Sequence, residues 1–232
     1  MLVVSIILMS LGMVAMLFFL YGKLTNYSLK VTVIKGVASL LFVALALYLF
    51  IAKGYPTLGA FIFVGAFLGM VGDVLLGLKR TFKSKGHLFN YGGFLFFAAG
   101  HIIYIVGMFS YFYIKGYPLA VILPFAASIV IAGTIVLLQK KFNLDFGKDS
   151  GATFIYIVLV TSMFSSAFSL LVIHQFSYKP LIVFSIGGFC FMVSDLLLCK
   201  SYFGKCSKME SAIYTFLYYA GQFLIAFSIF FL

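Results

Sequence analysis

Eight apolar runs of about 20 residues follow one another through nearly the whole chain, and that is the length a bilayer demands of a helix that crosses it. Hydrocarbon offers the backbone no hydrogen-bond partners, so a spanning segment must satisfy itself, as a helix or within a closed barrel. A barrel would show alternating runs of about 10 residues, and none appear. Charge agrees with helices. Only 9% of the 232 residues are charged and 64% are hydrophobic, with mean hydropathy +1.20, where a soluble domain carries about 25% charged residues. The expected fold class is therefore all-α: a polytopic membrane protein with eight transmembrane helices, at 2–21, 31–52, 57–78, 88–114, 119–138, 151–174, 181–199 and 211–232.

The breaks between spans have a plain chemistry. Lys53-Gly54-Tyr55-Pro56 and Lys115-Gly116-Tyr117-Pro118 are near-identical turns, and Lys179-Pro180 serves similarly, because proline disfavours helix in the residue before it. Met1 leads directly into Leu2-Val3-Val4 without a positive n-region or a small-residue cleavage site, so residues 2–21 are expected as a mature span. Cys190, Cys199 and Cys206 form no C-x-x-C pair and are expected as small apolar fillers rather than ligands or a disulfide framework.

Thirteen of the sixteen basic residues fall in the loops after spans 1, 3, 5 and 7, or at the span ends beside them; Lys53, Lys115 and Lys179 alone occupy the other three loops. The positive-inside rule then puts the thirteen in the cytoplasm and both termini outside. A bacterial cytoplasmic membrane is the first expectation and the endoplasmic reticulum the second. The net charge of +11 suits anionic headgroups. Nucleic acid is not an expected partner, since no soluble basic domain exists to bind it.

Against this background two acids stand out. Gly65-Ala66-Phe67-Leu68-Gly69-Met70-Val71-Gly72-Asp73-Val74-Leu75-Leu76-Gly77 buries Asp73 in the third span, and Gly187-Gly188-Phe189-Cys190-Phe191-Met192-Val193-Ser194-Asp195-Leu196-Leu197-Leu198-Cys199 buries Asp195 in the seventh. An ionisable group costs several kcal/mol there unless paired, wetted or protonated, so it marks a functional site by default. Asp145, Asp149 and Glu210 fall in loops or at a helix start.

The two segments also align. At an offset of 122, Gly65, Phe67, Met70, Val71, Asp73, Leu75 and Leu76 match Gly187, Phe189, Met192, Val193, Asp195, Leu197 and Leu198; at 121, Ala99-Gly100-His101 falls on Ala220-Gly221-Gln222. Four spans separate the copies, so the single membrane domain 1–232 is expected to divide into two parallel four-helix repeats, 1–114 and 115–232. Both carboxylates then lie about 8–9 Å inside the basic end of their helices, at 1.5 Å per residue, at similar depth on facing helices. Gly65, Gly69, Asp73 and Gly77 form a stripe at which a neighbouring backbone can approach closely.

Among other polar residues, His101 and Tyr104 share a face of the fourth span, and Tyr218 and Gln222 take the corresponding face of the eighth. Lys35, five residues into the second span, is placed to snorkel to the surface, pair with an aspartate or hold a lipid phosphate. Tyr156 and Ser162 face inward for one rotation of the sixth span. His87 and His174 sit at helix ends, as interfacial residues.

Gly-Asp-x-Leu-Leu, Gly-His-x-x-Tyr one helix on, Ser-Asp-x-Leu-Leu in the seventh span and Tyr-Tyr-x-x-Gln in the eighth together resemble the YhhN family of integral membrane proteins, which includes the lysoplasmalogenases. The resemblance covers most of the chain and is strongest over 65–104 and 185–225. It implies hydrolysis of the vinyl ether bond of a lysoplasmalogen to a fatty aldehyde and glycerophospho-ethanolamine or -choline. It maps the paired catalytic aspartates onto Asp73 and Asp195, a histidine onto His101 and a lysine onto Lys35, with membrane lipids around it and no cofactor. One position departs: proline is expected after that lysine, and Gly36 stands there.

Vinyl ethers resist base but hydrolyse when an acid protonates the β-carbon, giving an oxocarbenium ion that water captures. The enzyme needs a carboxyl that keeps its proton and an anion or base opposite it. Burial favours the neutral form of a carboxyl, and two neighbouring carboxylates cannot both ionise cheaply. The division of labour resembles that of glycosidases. His101 is expected to hydrogen-bond one carboxylate or the substrate oxygen, supported by Tyr104, Tyr218 and Gln222, while Lys35 holds the substrate phosphate. Two alternatives stand beside this. The aspartates and His101 are candidate zinc ligands, without an H-E-x-x-H signature; and mid-membrane acids in parallel repeats also describe a proton- or cation-coupled transporter, though no proline breaks a span near either aspartate.

Overall fold

The computed structural model describes residues 1–232. Eight long helices follow in order: α1 (Leu2–Thr25), α2 (Leu29–Ala52), α3 (Thr57–Thr81), α4 (Gly86–Phe112), α5 (Leu119–Leu137), α6 (Ser150–Ile173), α7 (Lys179–Phe203) and α8 (Lys208–Phe227). All eight are long and apolar enough to cross a membrane, and there are no strands. The expected helices are the observed ones. The largest differences are at the C-terminal end of α8, where α-helix stops at Phe227 and a 3₁₀ turn (Ser228–Phe231) replaces the last expected turn, and at the basic ends of α1 and α7, where helix continues past the apolar run through Lys23 and Lys200. Helical hydrogen bonding does not stop where hydrophobicity does, and a basic last turn favours the helix dipole.

Local signals set the ends. In the first Lys-Gly-Tyr-Pro turn Gly54 and Tyr55 take φ of +75° and +61°, a reversal that glycine makes cheap. Ser207 and Glu210 form a reciprocal capping box at the start of α8, satisfying two otherwise orphaned backbone donors. Pro180 stands in the first turn of α7, where its missing N–H costs nothing. Despite Gly36, α2 runs unbroken from Leu29 to Ala52.

Successive helices α1 to α4 pack on one another, as do α5 to α8; α4 meets α6, and α8 packs back onto α1, α2 and α3. The central element is α8, with 61% of its span buried, against 22% for the outer helices α1 and α5. α3 and α7 do not pack as direct neighbours. Phe97 of α4 and Tyr218 of α8 fill the space between, in edge-on ring contact with each other and with Phe191 of α7. The expectation of aspartates on facing helices is therefore corrected: they look into a shared space from helices held apart.

Glycines set the close approaches. A Cβ at Gly100 would lie 3.2 Å from the Gly65 carbonyl oxygen, and one at Gly221 would lie 2.8 Å from that of Gly187. Positions 122 and 121 apart in the chain thus make corresponding contacts in the α3–α4 and α7–α8 pairs. Because the atom met is backbone, Gly221→Ala should cost about 1–3 kcal/mol by overpacking. The expected readout is a lower melting temperature in detergent, and an unchanged one would contradict the close packing.

Candidate functional site: two carboxylates in one cavity

Asp73 and Asp195 are 2% and 6% exposed and line the same cavity of ≈ 70 Å³, together with Lys23, Lys35, Arg80 and Tyr156. The volume holds several water molecules. The cavity lies toward the basic end of the bundle, at the last turns of α1 and α3.

The carboxylates have unlike surroundings. Asp73 Oδ1 takes an ion pair from Lys35 Nζ at 2.8 Å. Its Oδ2 accepts hydrogen bonds from Ser39 Oγ at 2.5 Å and Tyr218 OH at 2.6 Å. Lys35 and Ser39 stand at i and i+4 on α2 and so share the face toward α3. Asp195 has no cation within ion-pair range; its Oδ2 accepts a hydrogen bond from Tyr156 OH at 2.5 Å. Those donors satisfy both oxygens of Asp73, whereas Asp195 Oδ1 carries no protein hydrogen bond at the cavity wall.

The expected supporting residues are mostly joined. Tyr104 OH donates to Gln222 Oε1 at 3.3 Å, and Gln222 Nε2 donates to Tyr218 OH at 3.4 Å. With the bond from Tyr218 to Asp73, this makes one chain from α4 through α8 to α3. His101 departs from expectation. Its Nδ1 lies 3.4 Å from Met163 Sδ, its Nε2 has no partner, and it touches neither carboxylate. Its ring is held among Met163 of α6, Phe191 of α7, to which it packs edge-on, and Tyr156 at 5.8 Å. No three His, Cys, Asp or Glu side chains converge as a metal-ligand group.

Lys35 is also corrected in part. Its ammonium is taken up by Asp73 rather than free for a phosphate. A buried charge left without its partner costs about 3–5 kcal/mol, and removing both costs far less. Lys35→Met should therefore destabilise strongly, and Lys35→Met with Asp73→Asn should recover most of the loss. Thermal melts of the purified variants check this; a double variant no more stable than the single would contradict the pairing.

Four participants were given no role in the sequence reading, Tyr219 entering it only as the second tyrosine of Tyr-Tyr-x-x-Gln. Ser39 and Tyr219 complete the Asp73 shell, with Tyr219 OH 3.3 Å from Ser39 Oγ; Lys23 and Arg80 line the cavity. Of the two residues expected to face inward on α6, Tyr156 reaches Asp195, while Ser162 is buried without a hydrogen-bond partner.

Beside the polar cavity runs a larger apolar groove of ≈ 290 Å³ between α4, α6 and α7. Outward-facing Leu95 and Ile155 line it. Phe94, Tyr156, Asp195, Leu198 and Tyr202 belong to both spaces. Asp195 is thus the one carboxylate at the junction of a polar chamber and an apolar one.

The sequence model of the YhhN family matches residues 31–229, from the start of α2 to the C-terminal turn after α8. The chain belongs to the YhhN family. Asp73, Asp195 and every residue bonded to them lie inside the matched region, whereas Lys23 on α1 precedes it. No curated protein and no solved structure matches the chain.

Proposed function

We propose that this YhhN-family protein hydrolyses the vinyl ether bond of lysoplasmalogens, with Asp195 as proton donor and Asp73 as the anion opposite it. The observation that carries the reading is the asymmetry of two buried acids in one cavity. Lys35, Ser39 and Tyr218 stabilise Asp73 as a carboxylate. Asp195 has no counter-ion, so its neutral form is the one that burial without a cation favours.

In this scheme the hydrocarbon chain lies in the apolar groove and the headgroup in the polar cavity, which brings the vinyl ether to Asp195. Asp195 gives its proton to the β-carbon, and the π electrons form the new C–H bond. The ether oxygen shares a lone pair with the adjacent carbon, so an oxocarbenium ion forms as Asp195 ionises. Water adds to that carbon and passes a proton to Asp73. The hemiacetal collapses to aldehyde and alcohol, and the proton on Asp73 returns to Asp195. Tyr156 holds Asp195 in place, and His101, packed behind Tyr156, acts through it as a positioning residue.

The carrier alternative gains nothing specific: α3 and α7 run unbroken through both aspartates, unlike the discontinuous helices of many carriers. The test is direct. Purified protein in detergent should release aldehyde from a lysoplasmalogen and none from the saturated alkyl ether analogue, which has no carbon that a proton can add to. Uptake of substrate into proteoliposomes without aldehyde release would overturn the hydrolase reading.

A further inference from the structure

The cavity holds more positive charge than its own acids use. The chain has two ion pairs, Lys35–Asp73 and Lys200–Glu210, so Lys23 and Arg80 line the cavity with no carboxylate in range. Lys23 is the more telling. A lysine in the last turn of a spanning helix ordinarily snorkels outward to the interface. Here it turns inward across α8: its Nζ donates to Thr215 Oγ1 at 2.6 Å and stands 3.9 Å from the centre of the Tyr214 ring. Arg80, on the last turn of α3, lies outward at the same cavity, its guanidinium 5.1 Å from the centre of the Tyr27 ring. Hydroxyl and ring faces orient these cations without neutralising them. An unpaired ammonium drawn inside a membrane protein is expensive; the hydroxyl and the ring face offset part of that cost, and an anion would offset more.

We propose that Lys23 and Arg80 form a phosphate-binding site at the mouth of this cavity, which takes the phosphate of a single-chain lipid headgroup. Three observations point to a lipid phosphate. A guanidinium fork can bind phosphate oxygens in a bidentate way, with a lysine as the adjoining point charge. The site sits at the basic end of the bundle, where thirteen of sixteen basic residues gather. And the same cavity meets the apolar groove at Asp195, so a phosphate held here leaves its chain on the groove side. Lys35 then serves as the counter-ion of Asp73, and the headgroup role expected of it passes to Lys23 and Arg80.

This deepens the lysoplasmalogen reading but does not need catalysis for its test. The probe is a saturated alkyl ether lysophospholipid, which the vinyl ether chemistry cannot cleave, and thermal stabilisation of the detergent-purified full chain gives its affinity. The phosphate-free alkyl glycerol and inorganic phosphate are measured in parallel. The expected result is that Lys23→Met and Arg80→Gln each weaken the phospholipid by at least about 10-fold, a 1.4 kcal/mol effect. The preference of phospholipid over alkyl glycerol should collapse in both, and Arg80→Lys and Lys23→Arg should keep most of it. Stabilisation by inorganic phosphate alone, lost in the same variants, would identify a free phosphate ion as the ligand and overturn the lipid source. Equal loss of both lipids, or loss of neither, would overturn the site itself. Should Lys23→Met fail to fold, Arg80→Gln, at the outward-facing position, decides alone. Phospholipid binding without aldehyde release would leave this site standing and remove the catalytic reading instead.

Discussion

Asp195→Asn should lower the turnover of lysoplasmalogen by about 10³-fold, inside the 10²–10⁴ range that a positioned general acid contributes. The substitution keeps the shape of the side chain and an oxygen able to accept from Tyr156, whose hydroxyl lies 2.5 Å from Asp195 Oδ2. It removes the one proton that the scheme sends to carbon. Folding should therefore hold, and the alkyl ether lysophospholipid should still bind. A fall in kcat with binding retained is the signature of an interaction used only in the transition state. Asp195→Glu, which restores the acid but displaces it by a methylene, should recover part of the activity. Turnover near the parental level in Asp195→Asn would remove Asp195 from the chemistry.

The second large effect concerns Asp73, and its test must separate catalysis from folding. Asp73→Asn alone leaves the Lys35 ammonium buried without its partner at 2.8 Å and should destabilise the bundle, by the same argument that applies to Lys35→Met. The informative protein is the double variant, Asp73→Asn with Lys35→Met, in which both charges are gone. It should melt close to the parental protein yet turn over at least about 100-fold more slowly, because the acceptor of water's proton is gone and the ionising Asp195 alone opposes the positive charge that develops on the substrate. A stable and active double variant would mean that the pair is structural only.

Much of this was legible in the residues. The bilayer sets a length and forbids unpaired backbone, so the apolar runs became the eight helices. Two acids in hydrocarbon are costly enough to be noticed, and both line one cavity. Tyr104, Tyr218 and Gln222 were legible because α4 and α8 place them at one-turn spacings, and they join the chain that ends at Asp73. What was not legible was rotation and adjacency. The sixth span scatters hydroxyl residues round its circumference, Thr153, Thr161, Ser162, Ser165, Ser166 and Ser169 among them, so nothing in it singles out the face that carries Tyr156 to Asp195. His101 shares a face with Tyr104, but its ring packs on the sulfur of Met163 and the ring of Phe191 and reaches neither acid. No one-dimensional pattern records those neighbours. Lys23 reads as one more basic residue beyond a span; its turn across α8 is a tertiary fact. Lys35 was read with three possible placements, and Ser39, one turn along, is the second residue that faces the same acid.

The most direct test is infrared spectroscopy of the detergent-purified protein near neutral pH, reading the carbonyl stretch that a carboxyl shows only while it holds its proton. One such band is predicted, lost in Asp195→Asn and kept in the Asp73→Asn, Lys35→Met double variant. Absence of the band in the parental protein, or its survival in Asp195→Asn, would contradict the assignment of Asp195 as the acid.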